Sequence, residues 1–161
     1  MAYPTVEAPY GLQPINLIGG QPYAGSTRQM KIASNYGTDI FNGDVVKRAA
    51  DGTIQKETGT TTVTATGVIG VFVGVTYTDP STSQKTFKQY YPASTVASDI
   101  QAYVVDDPDA LFKVAVVSGT TTIAGIAYGS IGSNAALVQN AGSTTNGNSK
   151  VAILSSSVAT T

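Results

Sequence analysis

The sequence predicts an all-β protein: a compact β-barrel or β-sandwich with an extended N-terminal arm. Three observations carry this. Short runs of strand formers recur at intervals of about 10 residues, separated by turn residues, the pattern of sandwiches and barrels. The 161 residues include 22 Thr, 17 Val and 17 Gly but only five Leu. No apolar pattern at helical spacing lasts beyond about two turns, and 95–102 alone could form one short helix. The length fits one domain with arms. We divide it into an arm over 1–27, a β domain over 28–154 and a flexible tail over 155–161.

The arm holds four of the seven prolines, Pro4, Pro9, Pro14 and Pro22. Proline removes backbone donors and biases its predecessor toward extended geometry, so this stretch is neither a helix nor a good central strand. Its apolar side chains, among them Tyr3, Tyr10, Leu12, Ile15, Leu17 and Ile18, need a surface to cover. That surface is either a neighbouring subunit or the chain's own domain. Beyond the arm, 28–33 alternates polar and apolar residues. Two strand-like runs, 45–49 and 53–56, flank Ala50-Asp51-Gly52. Asp-Gly between such runs predicts a tight hairpin with a primed turn. Val68 to Tyr77 reads as a long buried strand. Ile69, Val71, Val73, Val75 and Tyr77 would share one face, with Gly70 and Gly74 on the other. A backbone or a large side chain can approach closely at those glycines. Strands are expected over 85–91, 99–105 and 111–117, weaker ones over 120–127 and 134–139, and a last one over 150–154. The segment 140–149, Asn-Ala-Gly-Ser-Thr-Thr-Asn-Gly-Asn-Ser, reads as a polar, flexible loop.

The chain has no His, no Cys and no Trp. That removes disulfides, thiol chemistry, the Ser-His-Asp triad and the usual zinc sites. Charged residues make up 12%, against a usual share of about 25%. The net charge of −1 gives no basic footprint for nucleic acid and little repulsion between copies. No signal peptide and no run long enough to span a membrane is present, so the chain is expected to be made in a cytoplasm and to be soluble there. Asp106, Asp107 and Asp109 are the densest charge cluster. They fit a turn, with a cation site as the alternative. Ser81 or Ser83 with Lys85 lacks the spacing of a Ser-Lys dyad. The two Glu, Glu7 and Glu57, lie in weakly structured stretches. The nine Tyr could line a ligand-binding face, or cap the core and fill interfaces. No enzyme and no cofactor is expected.

The order of several segments resembles a family. Ala8-Pro9-Tyr10-Gly11-Leu12-Gln13-Pro14 leads to Gly19-Gly20-Gln21-Pro22-Tyr23. After it come Tyr36-Gly37-Thr38-Asp39-Ile40-Phe41-Asn42-Gly43-Asp44-Val45-Val46 and Ala50-Asp51-Gly52-Thr53-Ile54. The segment from Ile69 to Asp79 follows, then Tyr91-Pro92-Ala93-Ser94-Thr95 and Asp106-Asp107-Pro108. This order resembles small virion structural proteins of tailed bacteriophages of the marine and cyanophage kind, which look like capsid cement, or head decoration, proteins. The resemblance implies a protein of the virion's capsid surface that bridges and stabilises neighbouring major capsid subunits. It also implies sister copies, a trimer before a dimer, with neither nucleic acid nor membrane as partner. Tyr3, Pro4, Tyr10, Leu12, Pro14 and Ile15 are the residues expected to contact the shell or a sister copy. The rival expectation is a tail, neck or fibre component or a self-polymerising filament subunit. A carbohydrate-binding β-module, suggested by the tyrosines, comes third.

Overall fold

A computed structural model describes residues 9–58 and 67–158. It is all-β. The strands in chain order are β1 (Gln13–Leu17), β2 (Arg28–Lys31), β3 (Val45–Arg48), β4 (Ile54–Lys56), β5 (Val68–Thr78) and β6 (Lys85–Lys88). They continue with β7 (Gln101–Val105), β8 (Ala110–Lys113), β9 (Val116–Val117), β10 (Leu137–Val138) and β11 (Ala152–Leu154). Helical geometry among the described residues is limited to two single 3₁₀ turns, Tyr128–Ser130 and Ser155–Ser157.

Six strands form the main sheet, in the order β2-β7-β5-β3-β4 with β6 also on β5. The long β5 organises it. One edge of β5 pairs with β7, and the other is shared by β3 and β6. The sheet curls until its two end strands meet at one parallel bridge, Ile32 to Ile54. That single bridge stops short of a continuous ladder, so the sheet is a curled one and not a closed barrel. Its concave core contains Ile40, Val46, Ile54, Phe72, Val75, Tyr77, Tyr91, Ile100 and Val104. A two-stranded ribbon, β1-β8, and a three-stranded sheet, β10-β11-β9, complete the fold.

The alternation expected along β5 breaks twice. Pairing slips at Ile69 opposite β3 and at Val73 opposite β7. Each bulge puts one extra residue into the strand and reverses the faces beyond it. Phe72 therefore joins Val75 and Tyr77 in the core cluster, while Val71 is buried outside it and Val73 is half-buried. The two glycines are sites of close approach. A Cβ at Gly70 would collide with the Val105 carbonyl, and one at Gly74 would come within 2.8 Å of the Phe87 ring.

The β3-β4 hairpin forms where Asp51-Gly52 predicts it, but with a different turn. Only Gly52 has positive φ, at 83°, and its N–H donates to the Ala49 carbonyl. The Ala49 N–H in turn donates to the Thr53 carbonyl. This is the three-residue loop in which an ordinary turn is followed by a left-handed glycine. Asp51 Oδ1 steadies it by accepting from both the N–H and the hydroxyl of Thr53.

The short helix over 95–102 does not form. Ser94 has φ of +60° and donates to Tyr36 O, while Thr95 O accepts from Asn35 N–H. Backbone groups that a helix would pair locally are thus committed across to the 33–36 loop. The strand over 120–127 is reduced to one bridge, Val117 to Ile123.

Candidate functional site

Tyr3 and Pro4 lie outside the described residues. The other four expected contact residues flank or form β1, which pairs antiparallel with β8 of the same chain. An edge position suits Pro14, which has no N–H to give to a second neighbour. A bulge between Pro14 and Asn16 turns Ile15 outward. The ribbon then exposes Tyr10, Ile15, Ile18 (66% exposed) and Leu111, whereas Leu12 and Pro14 are half-buried. Leu12 is tied down by its N–H, which donates to Gly43 O at 3.0 Å. A depression lined by Tyr10, Gln13, Lys113 and Ala115 lies beside the ribbon.

A second exposed apolar segment lies where the sequence predicts only weak strands. Residues 114–149 carry no charged side chain at all. Within them Tyr128 is 89% exposed and Ile131 is 72% exposed, with Ile126 nearby in sequence. The signal that could have revealed it is the uninterrupted absence of Asp, Glu, Lys and Arg beside large apolar residues.

Several of the charged groups are occupied structurally. Asp107 Oδ1 accepts from the Asp109 N–H at 2.9 Å, and the Ala110 N–H donates to Asp107 O. Asp106 pairs with Arg28 at 2.8 Å. The acidic run is a turn beside an ion pair, and no cluster of three or more metal-ligating side chains occurs among the described residues. Ser81 donates to Asp79, while Lys85 lies 3.1 Å from Asp99, so Ser81 and Lys85 each face a carboxylate. Asp99 also accepts from the N–H and the hydroxyl of Thr78. These two bonds, then Lys85, hold its carboxyl down at about 2. Glu57 is buried and paired with Lys47 at 3.3 Å, a correction to its reading as weakly structured.

Asp44 is wholly buried, as is Ser149 beside it. Asp44 Oδ2 lies 2.8 Å from Lys56 Nζ and accepts from the Phe41 N–H at 2.8 Å. Asp44 Oδ1 accepts from the Ser149 hydroxyl at 2.6 Å. Lys56 Nζ sits 5.4 Å from the centre of the Phe41 ring, which stacks on Tyr90. The loop 140–149, expected to be polar and flexible, docks here. Gly147 and Ser149 are buried, Asn148 bridges to Asn42, and Gln89 donates to Asn148 Oδ1.

The tyrosines divide between core and surface. Tyr77 and Tyr91 are buried, Tyr36 and Tyr103 half-buried, and Tyr10 and Tyr128 exposed. No helix among the described residues is long and apolar enough to cross a membrane. Comparison with protein-family models, curated proteins and solved structures finds no match for the chain.

Proposed function

We propose that this chain is a capsid cement protein, which binds the outer face of a phage head and bridges neighbouring major capsid subunits. The observation that carries this reading is the β1-β8 ribbon, where Ile15 and Leu111 on the paired strands, and Tyr10 and Ile18 flanking β1, remain in solvent. Large apolar groups held outward on ordered backbone are the makings of an interface core. A shell needs many modest interfaces, and binding to the assembled state alone stabilises it by mass action. The engaged carboxylates and the absence of imidazole and thiol are in keeping with a binding role. Sister copies, a trimer before a dimer, belong to the same reading.

The test is occupancy. Purified capsids lacking the protein are mixed with the wild type or with an Ile15→Lys/Ile18→Lys variant, and the particles are imaged. Both side chains are exposed, so the variant should fold. Density on the head surface with the wild type, lost with the variant, supports the proposal. Density on a tail, neck or fibre, or free helical filaments, would support the rival reading and overturn this one.

A further inference from the structure

We propose that Lys56 and Asp44 become joined by an intramolecular amide bond. The pairing of Val46 with Lys56 on adjacent strands places Asp44 two residues along from Lys56's partner, in diagonal reach. The contact between Lys56 Nζ and Asp44 Oδ2 is 2.8 Å, and the two side chains are 10% and 0% exposed. Phe41 covers the amine, held between Tyr90 and a glycine, Gly142, where any Cβ would collide with the ring. Water is thereby kept away from an ion pair that is costly to bury.

Condensation needs no outside reagent. Lys56 passes one proton across the contact to Asp44 Oδ2, giving a neutral amine beside a carboxylic acid. The nitrogen lone pair attacks Cγ, and the Cγ–Oδ1 double bond opens onto Oδ1. The Ser149 hydroxyl, 2.6 Å from Oδ1, stands where that negative charge gathers. A second proton moves from nitrogen to Oδ2, and the Cγ–Oδ2 bond breaks to release one water. The carbonyl re-forms at Oδ1. One positive and one negative charge disappear together, and with them the desolvation cost of the pair. Held contact between reacting groups supplies the orientation that free amine and carboxylate lack in water.

The full-length protein is purified, incubated folded, denatured and weighed by intact mass spectrometry. The wild type should be lighter than its sequence mass by one water, and a Lys56→Arg variant should show its full mass. A tryptic digest should join the peptide ending at Lys47 to the one carrying Lys56, with cleavage after Lys56 lost. Ser149→Ala should slow formation by roughly 100-fold, the size of effect of removing one such donor. Full mass in the incubated wild type, with normal cleavage after Lys56, overturns the proposal whether or not the variants fold. A lost water that maps to Asp51-Gly52 and returns at mildly alkaline pH is a succinimide and overturns it equally.

Discussion

The Ser149 hydroxyl donates to Asp44 Oδ1 at 2.6 Å across 105 residues of chain, and Ser149 Oγ itself accepts from the Val151 N–H at 3.0 Å. One side chain thus satisfies a buried carboxylate and a buried backbone donor at once. Ser149→Ala leaves both without that partner. An unmet buried group costs about 1–3 kcal/mol, so the variant should lose stability on that order. A urea titration reads this as a lower midpoint, and an unchanged midpoint would refute the role assigned to Ser149.

Asp99 makes stability depend on acid. Its carboxyl titrates at about 2 when folded, against an ordinary 3.8, because Thr78 and then Lys85 favour the charged form. A depressed carboxyl stabilises the fold above its unfolded value and loses that contribution as pH falls through the folded one. Asp99→Asn cannot ionise. The wild type should melt above this variant at neutral pH, and the gap should narrow as pH falls from about 4 to about 2. Paired melting curves over that range check it; a gap of constant width would count against this role for Asp99.

Gly70→Ala should be costly, because the new methyl meets the carbonyl of Val105, a backbone atom of a central strand. Forced overpacking of this kind costs typically about 1–3 kcal/mol. Gly119→Ala is the control, since nothing lies within 4 Å of its Cβ position and its φ is not positive. Thermal melts should separate the two variants clearly.

Phe87 is 64% exposed, yet its ring lies against Gly74 and 5.9 Å from the ring of Tyr103. Cross-strand aromatic contacts over a glycine stabilise a sheet that has no side chain of its own there. Phe87→Ala should therefore cost about 0.5–1.5 kcal/mol. A similarly exposed control, Val96→Ala, should change little. Equal chemical denaturation midpoints for the two variants would exclude this packing role.

Local signals in the sequence place most of the main sheet. The Asp51-Gly52 hairpin, the acidic turn after β7 and the glycines of β5 are all legible, because turn chemistry and strand composition act over a few residues. The faces of β5 are not. Bulges at Ile69 and Val73 arise from the register of β3 and β7, which no alternation within β5 encodes. The helix suggested near Val96 gives way because its backbone partners lie some 60 residues earlier, at Asn35 and Tyr36. The Asp44 site is least legible of all. Ser149 ends a stretch whose composition reads as unstructured, and only the docked fold gives its hydroxyl a carboxylate to meet.

The strand order also sets a schedule. β1 and β2 leave the ribosome before the other described strands, yet their partners are β8 and β7, made after β3 to β6. Two early edges must wait, unpaired, while most of the sheet is synthesised. Ile15 and Met30 are then exposed on open strands, the condition in which chains join the wrong neighbour. Such non-local pairing places refolding in the millisecond-to-second range. Yield should consequently depend on how fast the chain is made and how crowded it is, more than on how stable the finished fold becomes.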